Sequence, residues 1–416
     1  MKPRTTLRLV AALAAVSVMG AACGGDDSDP VAAGGDAADT TTTSDHSSSG
    51  GSKHSGDGAT ATPAAELRAG LTGLLQEHVY LAGVTTSVAL GGGDFKVPAG
   101  ELDKNSVALA DAVGSVYGKP AGEQFLALWR KHIGFFVDYT TAASKSDNAG
   151  KQKAITDLDQ YRSDFDAFLS GANPNLPKGA VAEDLKSHVS SLTAAIDAQA
   201  AKDPSQFDKL KEAATHMPMT AAVLAGAIDK QKDLEGASDG SASSLRAALT
   251  SELQEHVYLA GITTGVALSG GDFKPAAASL DANSVELATA VSSVYGKPAG
   301  DQFLALWRKH IGFFVDYTTA ASKNDAAGKQ KAVADLDQYR ADFDAFLTGA
   351  NPNLPKGAVA EDLIGHVKTL AAAVDAQAAK DPTAFEKLRE AASHMPATAA
   401  VLAGAIAKQF PDKFTA

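Results

Sequence analysis

The histidines of this sequence are the residues whose side chains and spacing suit metal binding. Residues 67–231 (repeat 1) recur as residues 245–409 (repeat 2) at a constant offset of 178 positions, with about four residues in five identical. Imidazole suits copper, zinc and iron, and imidazole combined with a thioether suits copper. We therefore predict one transition-metal site in each repeat, with copper preferred and zinc, iron or haem as alternatives. The candidate ligands are His78, His132, His188, His216 and Met217 in repeat 1, and His256, His310, His366, His394 and Met395 in repeat 2.

Three histidines of each repeat fall on apolar stripes of three different predicted helices. His78 follows Leu71 and Leu75 at three- and four-residue steps, which is the spacing of one buried helix face. His132 and His188 occupy the same kind of position on two other stripes. Helical bundles build metal sites from inward side chains on facing helices, so we expect these histidines to lie in the core.

The fourth histidine has a less regular setting. His216 is followed by Met217 and Pro218, and proline kinks or loosens a helix. A further methionine of repeat 1, Met219, is replaced by Ala397 in repeat 2. The ligand set that both repeats share therefore contains one methionine at most.

A second interpretation of the same histidines is structural. A histidine on an apolar stripe is often a core residue that bonds to a carbonyl or carboxylate, and spacing does not fix the height of each side chain along the bundle. Nearby candidate carboxylates are Glu77, Asp111 and Asp138. The alternative function is a structural or protein-interaction module that binds no metal. The sequence carries no catalytic motif that would favour an enzyme.

The apolar periodicity is helical throughout both repeats, and no segment alternates with the period of two that strands require. We predict an all-α protein of two tandem, near-identical, up-and-down antiparallel helical bundles, with four to six helices each. In repeat 1 the predicted helices end near residues 90, 117, 143, 169, 200 and 230. The predicted bundles span residues 64–231 and 244–416, joined by a linker at 232–243.

The first 63 residues predict export and anchoring. Residues 1–22 have the positive start, the short apolar run and the small residues of a bacterial lipoprotein signal peptide, with an ordinary secretory signal as the alternative. Cys23, the only cysteine, would then carry the lipid. Residues 23–63 are rich in Gly, Ser, Thr and Asp and predict a disordered tether. The expected location is outside the cytoplasm, anchored by lipid to the bacterial cell membrane.

The net charge of the chain limits the classes of partner that it is expected to bind. A net charge of −12 with no cluster of Lys or Arg argues against nucleic acid. The partners that remain are the membrane, through the N-terminal lipid, a metal ion and a protein.

Several segments are similar to a group of exported bacterial helical-bundle lipoproteins that are often labelled copper amine oxidase. They are QEHVYLA at 76–82, LWRKHIGFFVDY at 128–139, ANPNLP at 172–177, and the closing LAGAI at 402–406 and QFPDKF at 409–414. The resemblance covers both repeats, and it implies an exported helical protein with a copper association. The Asn-Tyr-Asp/Glu tripeptide and the His-x-His pair of true copper amine oxidases do not occur in the sequence. We therefore expect no oxidase activity of that kind.

Overall fold

The structure is a computed structural model and describes residues 58–416. The predicted signal peptide, Cys23 and the predicted tether up to residue 57 lie outside the described residues. Within residues 58–416 all regular structure is helical, which confirms the predicted all-α class. None of these helices is long and apolar enough to cross a membrane.

Each repeat forms seven α-helices, after a single 3-10 turn at Gly58–Thr60. In repeat 1 they are α1 (Pro63–Leu90), α2 (Lys96–Tyr117), α3 (Lys119–Ser144), α4 (Asn148–Ala172), α5 (Ala180–Ala201), α6 (Gln206–Thr215) and α7 (Met217–Lys232). In repeat 2 they are α8 (Ser241–Leu268), α9 (Lys274–Tyr295), α10 (Lys297–Ser322), α11 (Ala326–Ala350), α12 (Ala358–Ala379), α13 (Ala384–Ser393) and α14 (Met395–Gln409).

The predicted sixth helix of each repeat is in fact two helices. His216 stands between α6 and α7, and Pro218 occupies the first turn of α7. Proline has no N–H to donate to the backbone hydrogen bonds of a helix. A new helix therefore begins beside Pro218 more readily than one helix continues through it. The count of seven helices, where four to six were predicted, follows from this break and from its copy at His394.

The first helix of each repeat lies at the centre of the molecule. Helices α1 and α8 pack against each other, and α1 also packs against α2, α5 and α7 of its own repeat. Tyr80 and Tyr258 stack at this crossing, with ring centroids 5.2 Å apart and planes 7° from parallel. One hydrophobic core runs through both repeats as a result.

The two repeats contact each other reciprocally. Helix α6 packs on α9, and its counterpart α13 packs on α2. The same surface of each repeat is therefore used on both sides of the interface, as in an isologous dimer of two subunits. The predicted linker of residues 232–243 contains the end of α7 at Lys232 and the start of α8 at Ser241.

Candidate metal centre

Three of the predicted ligands of repeat 1 converge in the core. His78 comes from α1, His132 from α3 and His188 from α5, and their side chains are buried. One ring nitrogen of each lies within 4.8 Å of a ring nitrogen of the other two. We call these three residues triad 1. Their three helices therefore bring the histidines to the same height in the bundle, which spacing along the sequence had left open.

The closest approach within triad 1 has the spacing of a metal site. Nε2 of His132 and Nε2 of His78 are 3.3 Å apart. Two nitrogens bound at 2.0–2.1 Å to one ion at a tetrahedral angle are separated by about 3.3 Å. The same distance also allows an N–H···N hydrogen bond between neutral rings, so distance alone does not distinguish the metal-bound form from the metal-free one.

Repeat 2 holds an equivalent group, His256, His310 and His366, which we call triad 2. Nε2 of His310 and Nε2 of His256 are 3.2 Å apart. The ring centroids of His256 and His366 are 6.4 Å apart, compared with 6.2 Å for His78 and His188. Within residues 58–416, triad 1 has a ring nitrogen of each histidine within 4.8 Å of the other two, and triad 2 does not reach this distance. Triad 2 is therefore slightly wider than triad 1.

Burial keeps the histidines of both triads neutral near pH 7. Burial, and then the neighbouring His188, lowers the pKa of His78 to about 3. Burial, and then His216, lowers the pKa of His188 to about 4. The pKa of His132 lies well below 6.5 because of burial, then His78 and His188, against a smaller opposing effect of the Trp129 backbone. Neutral imidazole has the free lone pair that a metal ion requires.

The metal-free triad leaves buried ring nitrogens without a hydrogen-bond partner. The Nδ1 atoms of His78 and His188 are buried and have no hydrogen-bond partner among the described residues. When His132 donates Nε2–H to His78, the ring of His78 carries its hydrogen on Nδ1, where no acceptor is found. Such a buried donor costs about 1–3 kcal/mol. When both rings carry their hydrogens on Nδ1, two Nε2 lone pairs face each other 3.3 Å apart, and this arrangement favours a cation between them.

The remaining predicted ligands lie in two different settings. Met217 is buried and lines the cavity beside triad 1, and Met395 has the equivalent position beside triad 2. His216, at the break between α6 and α7, is half-buried, and its counterpart His394 is exposed. Neither of these two histidines joins a triad. The methionine is therefore the better placed candidate for a fourth ligand.

The carboxylates that the sequence suggested as metal ligands point elsewhere. Asp111 and Asp138 are exposed. Glu77 precedes His78 on α1 but faces repeat 2, where it accepts hydrogen bonds from Tyr258 and Arg389. Among the described residues, the cavity beside triad 1 is lined by apolar and aromatic side chains, Thr220 and Arg162, with no carboxylate. A metal ion bound in this cavity would therefore contact no negatively charged side chain of the described residues.

Aromatic rings form the wall of the centre, and sequence reasoning missed one of them. Tyr161 stacks on His132 with ring centroids 5.1 Å apart, and Trp129 lies 4.5 Å from the same ring. The charged residues of the segment at 157–162 are typical of a solvated helix face, yet Tyr161 and Leu158 are buried. The spacing of Leu158, Tyr161 and Phe165 on α4 is an apolar stripe that could have revealed this wall.

A second group of acidic residues also lies close together, at the interface of the repeats. Oxygen atoms of Glu252, Glu255 and Glu286 lie within 4.8 Å of one another. Lys211 of repeat 1 reaches into this group, with its Nζ 3.2 Å from Glu255 and 2.6 Å from Glu286. The protein therefore supplies its own cation here, and the group joins the two repeats.

Comparison with known proteins gives no relative for this chain. No model of a protein family, no curated protein and no solved structure matches it. The chemistry of the site is therefore the guide to function, and that site is a pair of buried histidine clusters that could hold a metal ion.

Proposed function

We propose that this protein is an exported lipoprotein that holds one transition-metal ion in the core of each repeat, for sequestration or delivery of the metal. The observation that supports the proposal is triad 1, three buried, neutral histidines from three helices with ring nitrogens within 4.8 Å. A single buried histidine has a structural explanation, but three at one height, of which His78 and His188 have no polar partner on Nδ1 within residues 58–416, form an unusual core. The proposed ligands are His78, His132 and His188, with Met217 as the fourth.

Copper in its monovalent state fits the surroundings best. The cost of burying an ion rises with the square of its charge, so a monovalent ion costs about a quarter of what a divalent ion costs in the same place. Among the described residues, no carboxylate lines the cavity to offset a charge of two. Copper(I) also accepts thioether ligands, and Met217 lines the same cavity. Zinc, iron and haem are the alternatives that a metal titration would distinguish.

Metal titration of the purified protein tests the proposal. We expect copper(I) to bind at two sites per chain and to raise the melting temperature by roughly 5–10 °C at a hundredfold excess over Kd. The matched variants are His132→Phe in repeat 1 and His310→Phe in repeat 2, which keep an aromatic ring beside Trp129 or Trp307. Each should abolish one site, because losing a direct ligand costs more than the ten- to hundredfold effect of losing an outer partner.

The control for these variants is His216→Ala, which removes a histidine outside the triads. It should leave both copper sites intact, whereas Met217→Leu should weaken the site of repeat 1. Absence of copper, zinc, iron or haem binding above background in the unchanged protein would refute the proposal. Equal binding by the protein with and without His132→Phe and His310→Phe would refute the assignment of the ligands.

The anchor is tested separately, because Cys23 lies outside the described residues. Cells that make the protein should incorporate a labelled lipid precursor into it, and Cys23→Ser should abolish the label and release the protein from the membrane fraction. The control is His54→Ala, which alters the predicted tether without touching the cysteine and should keep the label. A labelled Cys23→Ser product would contradict the anchor.

The second candidate is an interaction module without metal, and the reciprocal packing of the two repeats favours it. The interface joins two copies of one surface within a single chain. Any surface of a repeat that lies outside the interface therefore occurs twice per molecule and could bind two copies of a partner. Under this alternative a partner protein is bound equally well after complete chelation. Loss of partner binding on chelation would instead tie the interaction to the metal.

A further inference from the structure

The core of repeat 2 contains a larger cavity than the core of repeat 1. Its volume is about 120 Å³, whereas the equivalent cavity of repeat 1 measures about 50 Å³. The larger cavity touches all three histidines of triad 2 and reaches along α8 to Leu245, eleven residues before His256. This corresponds to about 16 Å along the helix axis. Native cores contain few voids larger than a water molecule, so a cavity of this size suggests a ligand.

Part of the wall of this cavity is accessible in repeat 2 and closed in repeat 1. Six lining residues have the same identity in both repeats but are buried only in repeat 1. They are Leu67, Leu71, Ala112, Val116, Leu169 and Leu185, which correspond to Leu245, Leu249, Ala290, Val294, Leu347 and Leu363. The same side chains thus line a closed core in one repeat and an accessible apolar mouth in the other.

Hydrogen-bond donors without partners lie among the lining residues. Trp307 Nε1, Tyr339 Oη and Arg340 Nε are buried and bond to nothing within residues 58–416. In repeat 1 the equivalent Nε of Arg162 donates to Asp159, so this free donor is specific to repeat 2. Tyr339 and Trp307 flank His310, with ring centroids 5.1 Å and 4.6 Å away. The donors are therefore concentrated at the histidine end of the cavity.

We infer that this cavity, which we call the repeat 2 chamber, binds a small neutral apolar molecule that carries one oxygen acceptor. The apolar body lies towards the mouth and the oxygen accepts a hydrogen bond from Tyr339. An apolar cavity of about 150 Å³ holds benzene, so the chamber suits a single ring or a short chain. Arg340 is the one Asp, Glu, Lys or Arg side chain among the lining residues, and it is already paired with Asp337, so the lining favours a neutral ligand over a charged one.

The size and place of the chamber are tested with toluene, which should bind once per chain. The matched variants are Val291→Phe in repeat 2 and Val113→Phe in repeat 1, since both valines are partly buried against the core and only Val291 lines the larger cavity. We expect Val291→Phe to weaken toluene binding at least tenfold, with Val113→Phe unchanged, in ligand-observed NMR. Far-UV circular dichroism establishes that both variants are folded. No toluene binding, or an equal loss in both variants, would overturn the chamber.

The oxygen acceptor is tested with phenol, which matches toluene in shape. Tyr339→Phe should weaken phenol binding about three- to tenfold, the loss of one hydrogen bond, and leave toluene binding unchanged. Tyr161→Phe in repeat 1 is the control and should affect neither. Phenol affinity that is insensitive to Tyr339→Phe would overturn the assigned class of ligand. All titrations use chelated protein, so their outcome is independent of whether the triads bind metal.

Discussion

Lowering the pH from 7.5 to 5.5 should remove a large part of the stability of the metal-free protein. The six triad histidines stay neutral in the folded state: burial lowers the pKa of His78 and His256 to about 3 and of His188 and His366 to about 4. The pKa values of His132 and His310 lie well below 6.5. In the unfolded chain all six bind protons as the pH falls through 6.5, so acid favours unfolding.

The size of this effect follows from the number of histidines. Each histidine that stays neutral when folded costs about 1.4 kcal/mol of stability between pH 7.5 and 5.5, because the unfolded histidine is already half protonated at pH 6.5. Six of them cost about 8 kcal/mol over this range, compared with a total stability of about 5–15 kcal/mol for a typical domain. Stability from this source is full well above pH 6.5 and is lost progressively as the pH falls towards 4.

Buried carboxyl groups act in the opposite direction but are fewer. Burial, and then Glu255 and Glu286, raises the pKa of Glu252 to about 8. Burial also raises the pKa of Glu255 and of Glu66. These groups bind protons in the folded state before they do so in the unfolded chain, so they stabilise the fold as the pH falls from 8 to about 4.5. Three carboxyl groups do not offset six histidines, and the net effect of acid remains destabilising.

Urea unfolding at pH 7.5, 6.5 and 5.5 measures the effect on chelated protein. The double variant His132→Phe/His310→Phe should reduce the loss between pH 7.5 and 5.5 by about 2.7 kcal/mol, because two of the six titrating groups are gone. Tyr161→Phe/Tyr339→Phe is the matched control, because it alters the wall of both triads without removing a histidine, and it should leave the slope unchanged. A stability that is the same at pH 6.5 and 5.5 would show that the triad histidines are not held neutral.

The helices were predictable from the sequence, whereas the convergence of the histidines was not. Apolar spacing around His78, His132 and His188 fixes which face of each helix is buried. The height of each histidine depends on how far each helix slides along its neighbours, and that is decided by packing between helices. Pro218 predicted a kink at His216. The number of helices depends on whether the backbone hydrogen bonds of the helix continue past this kink, which the sequence does not decide.

The central position of α1 was missed, although its composition carries a signal. Between residues 69 and 90 the only charged residue is Glu77, and a helix with so little charge is buried on all sides. Glu77 was predicted to be a candidate carboxylate near the histidines, and its neighbour Gln76 is also polar. In the structure they face α8 instead, where Gln76 donates to Ser251 and Glu77 accepts from Tyr258. The polar residues of α1 therefore belong to the contact between repeats.

Replacing Arg389 with methionine should destabilise the protein by about 3–5 kcal/mol, the cost of leaving a buried carboxylate without its cation. Nε and Nη2 of Arg389 donate to the two oxygens of Glu77 at 3.2 Å and 3.1 Å. The side chain of Glu77 is 6% exposed, and that of Arg389 is 18% exposed. Tyr258 and Asn105 also donate to Glu77, so the carboxylate lies in a closed network between α1, α2, α8 and α13.

Two further variants separate the charge from the packing. Glu77→Gln/Arg389→Met removes both charges and should recover much of the loss, because the amide oxygen that replaces the carboxylate would still accept from Tyr258. Arg130→Met breaks a similar bidentate pair with Asp103, but both side chains are 49% exposed, so it should cost only about 0–1 kcal/mol. Equal costs for Arg389→Met and Arg130→Met in urea unfolding would contradict the structural role of the network.

The same variant tests whether the interface supports the metal centre. Glu77 and His78 are adjacent on α1, so one residue is held by repeat 2 while the next lies in triad 1. A shift of α1 after Arg389→Met displaces His78 relative to His132 and His188, whereas triad 2 keeps its own contacts. We therefore expect copper affinity to fall in repeat 1 and to stay unchanged in repeat 2. An equal fall at both sites would indicate global loosening of the fold in place of local coupling through α1.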